Sequence, residues 1–184
     1  MAIYRHAPNR AALLDGLVET VIGELTVSDD GASWQDQLRR TAHEFRSLAR
    51  KHPHLVPLLV TRPLSTPLGL RSATILRALE HTLTLLIDAG FAPADALHVY
   101  RLYYGVLNGH ILTELREITI DPEENVHLLR VGLHRLPAAD FPHLRALHTI
   151  LSDYDGVVEL DKGLDILFAG LTTQLHPDTI TDRQ

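Results

Sequence analysis

The sequence predicts an all-α fold in one main domain. Apolar residues recur every three to four positions along several segments, a spacing that places them on one side of a helix. Proline, glycine and acidic residues separate these segments, as expected at helix ends. With 184 residues and 45% hydrophobic content, the chain is long enough to bury one sizeable core.

Composition narrows the classes of protein. The chain has no cysteine, so disulfides and thiolate metal sites are excluded. A formal charge of −6 argues against a nucleic-acid surface spread over the domain, so any DNA contact must come from a local basic end. No apolar run approaches the roughly twenty residues that span a bilayer, and no signal-peptide pattern is present at the N-terminus. We therefore expect a cytoplasmic protein with no membrane segment.

The first predicted helices are marked by polar caps. A helix follows Asn9, runs from residue 10 to about residue 26, and stops before Gly31. Ser33 caps the second helix, because its hydroxyl takes a free backbone N–H while Asp36 suits the positive helix end. Four prolines between residues 53 and 67 then bound short segments.

The later helices differ in how apolar they are. One runs from about 69 to 88 and is ended by Gly90 in the left-handed conformation. The next, 93–116, is apolar on nearly every side and must therefore be covered all round. Weaker helices follow Asp121 and Asp140, and the last helix occupies about 159–175.

The 93–116 segment and the last helix predict a homodimer. One small core covers a single side of each helix, so a twin chain would complete a four-helix bundle. The alternative encloses both apolar stripes within the monomer. The side chains expected in the dimer interface are Leu107, Ile111, Leu160, Leu164, Leu167, Phe168 and Leu171.

Short motifs follow one another along almost the whole chain. They are Tyr4-Arg5-His6, Asn9-Arg10-x-x-Leu13-Leu14, Ser33-Trp34-Gln35-Asp36, Thr61-Arg62-Pro63, Ala89-Gly90-Phe91, Asp95-Ala96-Leu97 and Gly163-Leu164-Asp165. In this order and spacing the chain resembles the TetR family of bacterial repressors, and in particular the tetracycline-repressor branch.

The resemblance implies three parts. Residues 1–8 correspond to a remnant of the DNA-recognition helix, residues 9–176 to an effector-binding and dimerisation domain, and residues 177–184 to a tail. The expected DNA contacts are Tyr4, His6 and Arg10, although these residues would equally suit a solvent-exposed N-terminus. Operator DNA is therefore expected as a partner only where the missing part of the helix-turn-helix reader is present.

A small-molecule pocket is expected between the helices, where mostly apolar walls carry a few polar groups. The resemblance places a drug-binding cavity at the same positions, although these side chains would also serve simply to fill a core. The expected ligand-binding residues are Thr41, Phe45, Leu58, Thr61, Arg62, Leu79, Thr82, Leu83, Tyr100, Arg101, Tyr104 and Asn108.

Neither catalysis nor metal binding is predicted. The twelve histidines lack a ligand spacing such as His-x-x-x-His, and no nucleophile motif or phosphate loop occurs. The positions that hold magnesium and tetracycline in the tetracycline repressor fall here on Thr26, Thr41, Leu58, Gly105 and Thr113. We expect no cofactor, no metal and no enzyme activity, and a bulky hydrophobic or partly aromatic effector in place of magnesium-tetracycline.

The predicted function is that of a ligand-responsive transcriptional repressor of the TetR type. Effector binding would shift the packing of the 10–26 helix and thereby the spacing of two DNA readers. The alternative is a stand-alone ligand-binding or heterodimerising module that never reads DNA. A small helical enzyme is a more distant alternative.

Overall fold

The computed structural model describes residue 16 and residues 31–54, 73–119, 122–151 and 154–175. Every regular element in these ranges is an α-helix, which confirms the predicted fold class. Apart from Gly16, the predicted 10–26 helix lies outside them, as do the start of the 69–88 helix and the 177–184 tail. The helices are α1 (Trp34–Lys51), α2 (Ala73–Asp88), α3 (Pro93–Thr119), α4 (Pro122–Arg135), α5 (Pro142–Ala146), α6 (His148–Leu151) and α7 (Gly156–Leu175).

The start of α1 follows the predicted cap. The Asp36 backbone N–H donates to Ser33 Oγ over 3.1 Å, and the Ser33 hydroxyl donates to the Asp36 carboxylate over 2.6 Å. These two bonds satisfy a free helix-end donor and place an acidic group at the positive end. Trp34 and Leu38 begin the buried stripe of this helix.

The corner between α2 and α3 is a Schellman motif. Gly90 has a positive φ of 105°, which glycine adopts without steric cost. Its N–H bonds to the Ile87 carbonyl over 2.9 Å, and the Phe91 N–H bonds to the Leu86 carbonyl over 3.1 Å. This geometry confirms the predicted left-handed stop and turns Phe91 into the core, where it is 5% exposed.

Three of the helices differ from the predictions. Helix α3 continues to Thr119, three residues beyond the predicted end. The segment that follows Asp140 forms two short helices, α5 and α6, in place of one. Near the break, the His148 ring lies 2.7 Å from the Arg145 carbonyl oxygen and competes for an acceptor that a continuous helix would use. The last helix begins at Gly156, three residues earlier than predicted, because the Asp155 carboxylate accepts from the N–H groups of Val157 and Val158.

Helices α1, α2, α3 and α7 share one core. Trp34 contributes from α1 and meets Phe91 and Phe168 edge-on, with ring centroids 5.6 and 5.3 Å away, which is a favourable aromatic geometry. The Tyr103 hydroxyl donates to the Leu38 carbonyl over 2.8 Å and ties α3 to α1. Across the described ranges, no helix combines the length and apolarity needed to cross a membrane.

Candidate functional site

Three tyrosines gather where α2 packs on α3. The Tyr104 ring lies 4.7 Å from the Tyr100 ring and 5.0 Å from the Tyr103 ring, centroid to centroid. The hydroxyl of Tyr104 is also hydrogen-bonded to that of Thr82 on α2. We call Tyr100, Tyr103, Tyr104 and Thr82 the tyrosine cluster. Its aromatic walls and a small number of hydroxyls are the combination that small-molecule pockets commonly present.

The structure brings together several of the predicted ligand-binding residues. Leu83 and Tyr104 pack against the core cluster that contains Phe45, and Thr82 is buried beneath Tyr104. Leu58, Thr61 and Arg62 lie outside the described residues. Half-buried positions are occupied by Thr41, Leu79, Leu83, Tyr100, Tyr104 and Asn108.

Arg101 lies apart from this group because its side chain is exposed. It follows Tyr100 directly on α3, and one residue turns a helix by about 100°, so the two side chains leave in different directions. Thr41 is half-buried on α1, and its hydroxyl donates to the Gln37 carbonyl over 3.0 Å. The Thr41 oxygen therefore keeps lone pairs with which it can accept a further hydrogen bond.

Burial dominates the electrostatics of the tyrosine cluster. It raises the pKa of Tyr103 well above its ordinary value, and the neighbouring Tyr104 raises it further. Burial also raises the pKa of Tyr104, although the hydrogen bond to Thr82 partly offsets this and Tyr100 adds to it. Both hydroxyls are therefore neutral near pH 7 and can donate or accept hydrogen bonds.

A buried carboxylate fixes α1 against α3. Glu114 is 4% exposed and receives hydrogen bonds from Arg46 Nε at 2.8 Å and from Arg50 Nη1 at 3.2 Å. Arg46 also reaches its other oxygen and makes the pair bidentate. A Cβ at Gly156 would approach the Glu114 Cδ to 2.7 Å, so a larger residue there would require this hydrogen-bonded carboxylate to shift.

A second charged group joins α1 to α7. Arg39 Nη1 and His43 Nε2 lie 2.8 and 2.9 Å from Asp161 Oδ1, and Arg39 also contacts Asp165. Partial burial alone would raise the pKa of Asp161, but the hydrogen bonds from Arg39 and His43 outweigh it and lower that pKa. Sequence reasoning missed this contact because the partners are more than 100 positions apart and no local motif links them.

The structure places the predicted interface residues differently from the expectation. Leu167 is half-buried, and the other six side chains are at most 5% exposed within a single chain. Side chains already enclosed in this way offer little surface to a partner. The six are Leu107, Ile111, Leu160, Leu164, Phe168 and Leu171.

The same two helices nevertheless keep apolar side chains in solvent. Leu102 and Val106 on α3 are 50% and 37% exposed, and Ile166 on α7 is 77% exposed. The predicted DNA contacts Tyr4, His6 and Arg10 lie outside the described residues. Within the described part of the chain, no group of three His, Asp or Glu side chains is arranged to hold a metal ion.

Comparison with protein-family models shows to which family the chain belongs. Residues 27–175 match the model of the tetracyclin repressor-like C-terminal domain. The chain belongs to this TetR family. The matched region includes α1 to α7 and therefore both the tyrosine cluster and the charged groups.

Solved structures share this TetR-type fold. The Streptomyces coelicolor protein ActR, crystallised with actinorhodin, has a TM-score of 0.80 and 24% identity, over 95% of this chain and 81% of ActR. Another S. coelicolor TetR regulator has a TM-score of 0.77 and 22% identity, over 95% and 82%. TetR from Acinetobacter baumannii AYE has a TM-score of 0.64 and 24% identity, over 94% and 79%. A comparison with curated proteins gave no match.

The raised pKa of Tyr103 predicts an alkaline loss of stability that depends on this residue. The folded-state pKa of Tyr103 exceeds the unfolded value of about 10. The contribution of Tyr103 to the free energy of unfolding is therefore fully present below a pH of about 10 and is lost as the pH rises towards the folded-state pKa. Replacing Tyr103 with phenylalanine should flatten this decline, as measured by urea unfolding at a series of pH values from neutral to alkaline. Tyr154→Phe, at an exposed tyrosine, is the matched control. An alkaline profile of Tyr103→Phe identical to that of wild type would contradict the burial argument.

Proposed function

We propose that this chain is the effector-binding and dimerisation region of a ligand-responsive TetR-type transcriptional repressor. The observation that carries the proposal is the tyrosine cluster, in which closely packed aromatic rings and neutral hydroxyls lie in or against the core shared by α1, α2, α3 and α7. Membership of a family of regulatory domains supports this assignment. In this proposal the protein acts in the cytoplasm and is not an enzyme.

The lining favours a bulky, partly aromatic effector. Tyr100 and Tyr104 supply ring surfaces, while Thr41 and Asn108 supply half-buried polar groups at the margin. Thr41, Gly105 and Thr113 bear no carboxylate or imidazole, so the chemistry of these positions does not favour magnesium. The ActR complex with actinorhodin shows that a protein of this fold accommodates a large aromatic compound.

Effector binding acts in this proposal by shifting a two-state equilibrium. A compound at the tyrosine cluster would contact α3, and Tyr103 of this cluster is hydrogen-bonded to the Leu38 carbonyl of α1. If the compound binds one packing of α1 more tightly than another, binding shifts the equilibrium towards that packing. The shift in α1 would move the preceding 10–26 segment and, through it, a DNA reader. Coupling of about 1–3 kcal/mol per site is typical of such switches.

The proposed dimer uses the outer stripes of α3 and α7. On α3, Leu102, Val106 and Gly109 follow at helical spacing beside His110, whose Nε2 lies 3.0 Å from the Gly156 carbonyl oxygen of α7. On α7, Ile166 and Gly170 lie on the side opposite Asp161 and Asp165, which face α1. Two such helices from each copy would form the four-helix bundle, with roughly 2,000 Å² or more buried in total.

Aromatic effectors should stabilise the chain. Actinorhodin at a hundred times its dissociation constant would add about 2.7 kcal/mol to the free energy of unfolding and raise the midpoint of thermal unfolding measurably. Tyr104→Ala should abolish the increase, and the exposed Tyr154→Ala should retain it. Minocycline with magnesium should have no comparable effect. Stabilisation that persists in Tyr104→Ala would place the ligand elsewhere.

An aspartate in the proposed interface should separate the dimer. Ile166→Asp would bury two carboxylates in the bundle, one from each copy, without disturbing the single-chain core. Light scattering at micromolar concentration should give a dimer for wild type and a 20.5 kDa monomer for the variant. Ile87→Asp, an equivalent change at an exposed residue of α2, is the control. A variant that stays dimeric would exclude this stripe as the interface.

A further inference from the structure

A cavity lies between the beginning of α1 and the end of α2. It has a volume of about 310 Å³ and is lined by Trp34 and Gln37 from α1 and by His81, Thr84, Leu85 and Asp88 from α2. The α2 residues are spaced i, i+3, i+4 and i+7, so they share one face of that helix. No residue of the tyrosine cluster lines this cavity.

A buried acceptor in the cavity wall lacks a partner. Gln37 is 8% exposed, and its Nε2 donates to the Ala32 carbonyl over 3.0 Å. Its Oε1 is buried and has no hydrogen-bond partner among the residues that the structure describes. A buried acceptor left unpaired costs stability. Because Gln37 lines the cavity, a small rotation of its side chain would present this acceptor to a ligand that donates a hydrogen bond.

The charges around the cavity favour a cation. Asp88 lies at the carboxyl end of α2, where the helix carbonyls carry partial negative charge, and the last turn has no basic residue. The opposite wall is the amino end of α1, but Ser33 and Asp36 already satisfy its cap. Among the described residues that line the cavity there is neither lysine nor arginine to pair with Asp88.

The remaining wall is apolar. Trp34 and Leu85 bring ring and aliphatic surface to the same space that Gln37 and Asp88 border. A volume of about 310 Å³ stands at the lower end of the range for small-molecule pockets. The cavity therefore suits a compact ligand with one apolar body and one charged donor group.

We propose that this cavity is a second ligand site, which binds a small amphiphilic amine. The ammonium group donates to Gln37 Oε1 and faces the Asp88 carboxylate, while the apolar body packs on Trp34 and Leu85. This site is separate from the proposed effector site at the tyrosine cluster. A ligand bound in this cavity would contact both α1 and α2 and would therefore influence the position of α1 relative to α2.

The only tryptophan of the chain provides a local reporter, because Trp34 lines the cavity. The full chain is titrated with 2-phenylethylamine while tryptophan emission is recorded on selective excitation. The matched probe is 3-phenylpropionate, which carries a carboxylate on a similar body. We expect a saturable emission change with the amine and binding about tenfold or more weaker with the acid.

Two variants locate the binding site. Asp88→Asn removes an exposed charge without touching the core, and Gln37→Leu removes the unpaired acceptor. Each should weaken the binding of 2-phenylethylamine by roughly fivefold to tenfold. The control Asp95→Asn removes an exposed carboxylate of α3 that does not line the cavity, and it should bind as wild type does.

The proposal is overturned by any of three results. The first is the absence of a saturable emission change up to about 10 mM amine, because a dissociation constant above that value is weaker than ordinary recognition. The second is equal binding of the amine and the acid. The third is wild-type affinity for the amine in both Asp88→Asn and Gln37→Leu. None of these measurements involves the tyrosine cluster. A negative result would therefore overturn the amine site without affecting the proposed effector site, which is tested separately.

Discussion

The bidentate pair between Glu114 and Arg46 is the interaction on which the arrangement of the helices depends. Glu114 is 4% exposed, and a charge removed from water to that extent is tolerated only with close compensating partners. Arg46 of α1 supplies them from one side, and Gly156 of α7 allows the close approach from the other. The pair therefore determines where α1 and α7 lie along α3.

Two sides of α1 serve three purposes, because Trp34, Gln37, Thr41 and Phe45 share one side of the helix. Arg39, His43 and Arg46 face the carboxylates of α7 and α3. Thr41 and Phe45 belong to the proposed effector site near the tyrosine cluster, whereas Trp34 and Gln37 line the cavity near the start of the helix. A ligand in either site would contact α1, whose position along α3 depends on the Glu114–Arg46 pair. This gives the proposed switching function a physical basis.

The sequence predicted those features of the structure that depend on residues close together in the chain. Ser33 with Asp36 and the Gly90 corner are set by residues a few positions apart, and both were found as expected. Thr82 and Tyr104 lie together, and Tyr104 packs against the core that includes Phe45. That these residues bind a ligand stays a prediction. Asp155 carried a readable capping signal that the prediction overlooked in favour of the later Glu159.

The rest depended on long-range packing, which periodicity does not resolve. A strong apolar stripe shows that a side is buried, but it does not show which chain buries it. Leu164 and Ile111 were assigned to a partner chain and lie instead in the core of their own. The pairing of Glu114 with Arg46 likewise joins residues 68 positions apart. Nothing in the local sequence of either residue indicates its partner.

The most direct test of this account is a double-mutant cycle on the buried pair, with the free energy of unfolding measured by urea denaturation. Glu114→Leu should cost about 3–5 kcal/mol, because the Arg46 charge is left buried without its partner. Arg46→Met should cost less, because Arg50 still donates to the Glu114 carboxylate. The double variant should lose much less than the sum of the two. Single costs below about 0.5 kcal/mol that simply add, as at ordinary surface positions, would contradict the claim that this pair holds the helices together.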